Sequence, residues 1–229
     1  MQAVILAAGR GTRMGVLTDA MPKPMVLLLG KPLLEWKLAM LPAEIDEVIL
    51  VVGYRSNQIR AYFGKQWKGR TISYVEQKEL NGTGGVLPLL RGVVQGAFLL
   101  MNGDDLYHLH DLESGVVGGN IALLGLEIAR PFDIGIIETD ERGQFIQVRE
   151  HVTADTPGLV NTGAYFLDEG ILDIAPVRYS ATEYGLPQTL AVYGQTVPIT
   201  ILKARAWQPI GRPDDIPKGE EFLKKYWNV

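Results

Sequence analysis

Short runs of Val, Ile and Leu alternate with amphipathic stretches through the first half of this chain, and no other feature restricts its fold as much. The runs are 3–8, 48–52, 71–75 and 97–101. Apolar runs of this length, bounded by glycine, predict strands buried on both faces. Between them, Pro32 to Leu41 starts with proline, which the first turn of a helix tolerates, and spaces its apolar residues at helical intervals. Residues 55–63 and 83–95, the latter despite Pro88, are predicted as further helices. Strand, helix and strand at this pitch predict an α/β fold built on a doubly wound, mostly parallel sheet, with ligands at the carboxyl ends of the strands.

After about residue 120 the pattern changes. Residues 121–129, 134–139, 145–149, 159–167 and 197–203 read as strands joined by short links, and are expected to add antiparallel pieces to the same sheet. No Ser/Gly-rich linker or repeat separates the halves. The expectation is one domain over residues 1–229 with two functional lobes, about 1–120 and about 121–229, closed by an amphipathic helix from about Pro217 to Trp227. A chain of this length buries a sizeable core without disulfides, and with no cysteine it has neither disulfides, zinc-thiolate sites nor thiol nucleophiles.

The first strand leaves through Gly9-Arg-Gly-Thr-Arg-Met-Gly15. Glycines let the backbone turn sharply and expose consecutive N–H groups, which makes an anion cradle, and Arg10 and Arg13 add forked donors. The stretch suits a polyphosphate. It fits neither the dinucleotide-binding glycine pattern, because its third glycine comes one residue late, nor the P-loop, because no Gly-Lys-Ser/Thr ending follows. Pro22 and Pro24 restrict the backbone on both sides of Lys23, so that lysine sits on a stiff segment and can be aimed at a phosphate. The net charge of −4 and the pI near 5.5 give no basic footprint for nucleic acid, so a small, highly charged ligand is the better expectation. No basic leader precedes the first strand and no apolar run reaches the roughly 20 residues that span a bilayer, so a cytoplasmic protein without a membrane segment is expected.

Leu6-Ala-Ala-Gly-Arg-Gly-Thr-Arg-Met14 followed by Pro22-Lys-Pro24 closely resembles the signature of the sugar-1-phosphate nucleotidyltransferases, the nucleotide-sugar pyrophosphorylases, and weaker echoes continue to about residue 215. The resemblance implies a single-domain, Rossmann-like mixed sheet of the GT-A-like kind. It implies an enzyme, with Mg²⁺ as cofactor and with an NTP and a sugar 1-phosphate as partners. Leu6, Ala8, Gly9, Gly11, Thr12 and Arg13 would then hold the nucleotide, Arg13 on its β- and γ-phosphates, while Lys23 would meet the reacting phosphates.

Further matches follow along the chain. Gln77, with Gly82 and Thr83 after it, resembles the segment that holds the base. A glutamine amide offers one donor and one acceptor, which matches the imide edge of uracil or thymine and favours UTP or dTTP over GTP, although a shift by one residue would bring Glu76 there instead. Met101-Asn-Gly-Asp104 resembles the metal motif, making Asp104 the Mg²⁺ ligand. Gly135, Glu150 and Asn161 would line the sugar site. His151 stands where the family has a lysine for the sugar phosphate, with Arg149 or Thr153 as compensating residues. Pro209 stands where the family often has its second metal-binding Asp, leaving Gln208, water or the nucleotide phosphates to compensate, and Asp214 and Asp215 are expected to cap the last helix.

The implied reaction joins an NTP and a sugar 1-phosphate into a nucleotide-sugar and pyrophosphate. Two competing readings stay open. One is a binding or regulatory homologue without chemistry, suggested by Pro209 and His151. The other is a cytidylyltransferase acting on a phosphate of the phosphocholine kind, against which Asn161-Thr-Gly163 speaks. A homo-oligomer, where one forms, is expected to use the catalytic domain, because no hexapeptide-repeat extension follows it.

Overall fold

Ten strands build the central sheet of the protein, seen in a computed structural model that describes residues 1–227. In chain order they are β1 Gln2–Ala7, β2 Glu47–Val52, β3 Gln66–Trp67, β4 Arg70–Glu76, β5 Phe98–Asn102, β6 Ala122–Ile128, β7 Ile134–Thr139, β8 Phe145–Val152, β9 Gly158–Leu167 and β10 Thr200–Lys203. Their order across the sheet is β8-β7-β9-β5-β1-β2-β4-β3, with β6 pairing both β9 and β10. β1, β2, β4 and β5 run parallel, while β9 is antiparallel to β5 and β6, so the second half extends the parallel sheet with antiparallel strands.

The predicted apolar runs become strands because both faces of the sheet are covered. Ala3, Ile5, Ala7, Val48, Leu50, Val52, Leu99 and Met101 face one core, and the residues between them, Val4, Ile49, Val51, Phe98 and Leu100, face the other. Alternate side chains of a strand point to opposite faces, so a strand covered twice is apolar throughout. Five α-helices accompany the sheet: α1 Leu33–Met40, α2 Ser56–Phe63, α3 Leu109–Gly118, α4 Leu186–Tyr193 and α5 Asp215–Trp227. In α5 the apolar face carries Phe222 and Leu223, with Gly219 pressed onto Leu28 and Ile210.

Several sequence expectations need correction. Residues 83–95 form no α-helix: only Gly84–Leu90 is helical, and it is 3₁₀, because Pro88 lacks the N–H that an α-helix needs. The second half is less purely β than its pattern implies, since α4 lies in it, and α3 comes just before it at a stretch not read as a helix. Residues 145–149 are the start of a strand that continues to Val152, and the strand expected over 197–203 begins only at Thr200. Asp215 opens the last helix but turns its carboxylate backwards, accepting from the backbone N–H groups of Gly211 and Arg212 at 3.0 and 2.9 Å, so it pins the preceding turn. No helix among the described residues is long and apolar enough to cross a membrane.

Candidate active site

Because β1, β2, β4 and β5 are parallel, their carboxyl ends share one edge, and the loops after them gather there: Ala8–Gly11, Gly53–Arg55, Gln77–Gly85 and Gly103–Asp105. Gly11 takes the left-handed conformation, φ 68° and ψ 37°, and turns the chain into a 3₁₀ segment, Thr12–Thr18. A Cβ on Gly11 would lie 2.7 Å from Cβ of Lys23, so the first motif folds directly over the second. Gly11→Ala is expected to destabilise the fold by about 1–3 kcal/mol through the strained φ and this overlap, read as a lowered denaturation midpoint. Thr12 and Arg13 are exposed on the same loop, as is Gly9, whereas Leu6 and Ala8 lie inward on the strand end.

Lys23 begins its own 3₁₀ turn, Lys23–Met25, directly after Pro22 in extended conformation, and the residue is only 7% exposed. Its ammonium forms an ion pair with the carboxylate of Asp104, which is 81 residues away in the chain. Asp104 in turn is fixed through its carbonyl, which accepts from Ile210 N at 2.9 Å. Pro209 pairs with Asp105 across a two-stranded ladder, Asp105–Tyr107 against Trp207–Pro209, so the residue without a side-chain oxygen lies beside the acidic pair. The Gln208 amide beside it donates from Nε2 to Pro209 O at 2.9 Å.

Two buried charged groups beneath this edge were not expected from the sequence. Asp105 is 4% exposed and Lys37 0% exposed, with the Lys37 amine 4.2 Å from the centre of the Tyr107 ring and without a hydrogen-bond acceptor. Burial, then the charge of Asp104, pushes the Asp105 carboxyl up to about 7, and burial pushes the Lys37 amine down to about 7 against the pull of Asp105. A signal was present for Lys37: it stands three and four residues after Leu34 and Leu33 and three before Met40, on the apolar stripe of α1.

This pair makes stability depend on pH in two windows. Asp105 binds more protons folded than unfolded, so its contribution is present below about 4 and lost as pH rises through about 7. Lys37 binds fewer, so its contribution is present above about 10.5 and lost as pH falls through about 7. The pair costs the fold most near neutrality. The variant Lys37→Met/Asp105→Asn is expected to gain about 1 kcal/mol there and to flatten the pH profile of the melting temperature; thermal melts between about pH 5 and 9 check it.

Gln77 is buried at the wall of a cleft of about 290 Å³ that also touches Asn81, Gly85 and Leu89, with Glu76 exposed on its rim. Its Nε2 donates to Gly82 O at 3.0 Å and to Asn81 Oδ1 at 3.2 Å. Since a backbone carbonyl only accepts, the amide orientation is fixed and Oε1 is the atom left to face a base. Gly82 adopts φ 91° and presses on the backbone of Tyr184, while Thr83 Oγ1 accepts from Leu186 N at 3.1 Å; both bind this loop to the segment before α4.

On the sugar-side residues the picture is mixed. Glu150 packs against Gly135, where a Cβ would stand 2.9 Å from Oε2, and burial pushes its carboxyl up. Asn161 Nδ2 donates to the Tyr165 hydroxyl at 2.8 Å and its Oδ1 accepts from Gly163 N at 3.2 Å. His151 has Nδ1 2.7 Å from Asp133 and Nε2 against the Tyr179 hydroxyl, so both ring nitrogens are engaged. Arg149 pairs with Glu138 at 3.1 Å, and Thr153 Oγ1 accepts from Asp133 N at 3.1 Å. The hydrogen bond from His151 holds the Asp133 carboxyl below its ordinary range, and the charges of Arg212 and Arg13 add to it.

For a divalent cation, the described residues hold no cluster of three His, Cys, Asp or Glu. Asp104, 35% exposed, is the open carboxylate at the edge. A single carboxylate suits a hard cation that takes its other oxygens from phosphates and water, as Mg²⁺ commonly does.

Comparison with known proteins gives the family and the fold. The profile of a family described as Nucleotidyl transferase matches residues 2–225. The chain is 29% identical over 227 residues to the bifunctional protein GlmU of Methanocaldococcus jannaschii, covering 97% of this chain but 54% of that protein, so it spans about half the length of that relative. It is 34% identical over 175 residues to the D-glycero-alpha-D-manno-heptose 1-phosphate guanylyltransferase of Campylobacter jejuni, covering 76% of this chain and 78% of that one. Among solved structures, HddC from Yersinia pseudotuberculosis, complexed with GMP-PN, superposes with a TM-score of 0.76 at 22% identity over 97% of this chain and 99% of its own, and so shares the fold.

Proposed function

This chain belongs to the nucleotidyl transferase family, and on that premise we propose that it joins a nucleoside triphosphate to a sugar 1-phosphate, releasing pyrophosphate. The observation that carries this reading is the Lys23–Asp104 pair lying under the glycine loop at the carboxyl edge of the parallel strands. A phosphate oxygen of the sugar 1-phosphate attacks the α-phosphorus in line, the new P–O bond forms there, and the bond to the β-phosphate oxygen breaks. The nucleophile is an anion at neutral pH, so no general base is required. The work left to the protein is to hold repelling anions together and to stabilise charge on the departing pyrophosphate.

In this reading the Gly9–Gly11 backbone and Arg13 receive the β- and γ-phosphates, and Lys23 the reacting ones. Asp104 would hold a divalent cation of the Mg²⁺ class, whose charge would offset that of the phosphates. His151 has both ring nitrogens engaged, which leaves Arg212, whose charge acts on Asp133, as the cation for the sugar phosphate. Gly135, Glu150 and Asn161 border the sugar.

The base follows from Gln77. An acceptor facing the base suits the ring N–H of uracil, thymine or guanine and opposes the ring acceptors of cytosine and adenine. UTP and dTTP match the imide argument, and GTP passes the same filter, as the guanylyltransferase relative suggests. A panel of GTP, UTP, dTTP, CTP and ATP against several sugar 1-phosphates, read by pyrophosphate release, is expected to favour the first three by about tenfold or more. Best turnover with CTP and phosphocholine would overturn the assignment.

Pro209 beside Asp105 and the engaged His151 favour one other reading, a nucleotide-binding homologue without chemistry. It requires a rise in melting temperature with nucleotide and no pyrophosphate release in any combination.

A further inference from the structure

Between the glycine loop and Lys23 lie Thr18, Asp19 and Ala20, and the carbonyl oxygens of all three are held from one place. That place is Tyr54, Arg55 and Gln58, where β2 ends and α2 begins. The Tyr54 hydroxyl lies 3.1 and 3.3 Å from the carbonyl oxygens of Thr18 and Asp19. Arg55 Nη2 donates to Asp19 O at 2.7 Å, and Gln58 Nε2 donates to Ala20 O at 2.9 Å. Tyr54 N donates to Ala8 O at 3.0 Å, so the same segment also grips the root of the glycine loop.

The side chains form a unit. Arg55 Nε donates to the Tyr54 hydroxyl at 3.0 Å, and the guanidinium groups of Arg10 and Arg55 lie 5.4 and 5.5 Å from the Tyr54 ring centre. Arg55 pays for its place with a left-handed backbone, φ 50° and ψ 37°, which a residue other than glycine adopts only where its surroundings hold it. Met14 and Thr18 anchor the loop from within, at 1% and 4% exposure, but the stretch that leads on to Lys23 has no buried side chain between Thr18 and Pro22. Val16 and Leu17 point outwards from the loop, at 82% and 38% exposure, and its internal side-chain bonds are those of Thr18 to Gly11 O and Gly15 O.

We propose that Tyr54, Arg55 and Gln58 are positioning residues that set where the glycine loop and Lys23 stand for a bound triphosphate. This rests on the reading of the loop as a phosphate cradle. Residues 18–20 lie between Arg13 and Lys23 in the chain, and fixing their carbonyl groups fixes the separation of those cations. Arg10, drawn over Tyr54, belongs to this strap and not to the phosphate donors.

The test uses inorganic tripolyphosphate as probe, which needs neither base nor sugar, together with amide hydrogen exchange of the free protein. The variant Tyr54→Phe/Gln58→Ala removes the ties to residues 18–20 that these side chains make and keeps the ring. Exchange of the amides of residues 10–25 is expected to rise about tenfold while β1 and β2 stay protected, and tripolyphosphate affinity to fall about tenfold. With the preferred triphosphate, KM for the nucleotide should rise by a similar factor while KM for the sugar phosphate stays within about twofold. Arg55→Gly permits the left-handed backbone and removes the side chain with its guanidinium, and should show the same pattern more weakly, so it decides the matter if the double variant loosens the whole fold. Unchanged exchange, or faster exchange with unchanged affinity, overturns the proposal. A wild-type protein that does not bind tripolyphosphate overturns the cradle reading instead, and the exchange data still judge the strap.

Discussion

Replacing Asp104 by asparagine is expected to lower turnover on the order of 10²–10³-fold, the size seen when one preorganised charge contact is removed from a transition state. The substitution keeps the volume and the backbone bond from Ile210 to residue 104, so position is preserved and charge is lost. No neighbour replaces it. Asp105 is buried with its carboxyl pushed up, and Pro209 contributes no side-chain oxygen. Lys23 would then stand at the edge with its partner neutralised, and a divalent cation would lose the Asp104 carboxylate. Steady-state pyrophosphate release, at a cation concentration high enough to saturate the wild type, checks the prediction; turnover within a few-fold of wild type would remove Asp104 from the site.

Lys23→Met is expected to cost a factor on the order of 100, chiefly in kcat, because a cation aimed at phosphates that change charge during the reaction contributes most in the transition state. Methionine keeps an unbranched apolar stem under Gly11, where the lysine methylenes pack, so the loop should keep its shape. Since Lys23 and Asp104 are joined as an ion pair, the two losses should not multiply. The double variant is expected to be little worse than Asp104→Asn alone, as for residues that act as a unit. A double variant as slow as the product of the single effects would mean that the pair seen in the structure does not persist during turnover.

Much of this edge was legible in the chain. Val48 to Val52 read as a buried strand because the run is apolar on both faces, and a strand covered twice leaves that record locally. The turn after the first strand was legible for the same reason, since Gly11 serves a backbone conformation that its own residue type permits. What the sequence did not show came from contacts made across the fold. Residues 83–95 carried a helical pattern, but Pro88 and the docking of Gly82 and Thr83 onto Tyr184 and Leu186 left room for a 3₁₀ turn only. His151 stands where the family has a lysine, and nothing near it in sequence announced that Tyr179 would meet its second nitrogen.

The sequence by itself determined which groups stand at the edge: a glycine loop after the first strand, a lysine braced by prolines, and an aspartate after the fourth parallel strand. These follow from backbone freedom and apolar periodicity, which act over a few residues. Only the tertiary structure decided which of them meet. It joined Lys23 to Asp104, put Pro209 opposite Asp105, sank Lys37 beneath both, and closed His151 between Asp133 and Tyr179. Partnership across such distances depends on strand order and register, and the charge a side chain carries depends on how far burial removes it from water. Neither is written in any short stretch of the chain.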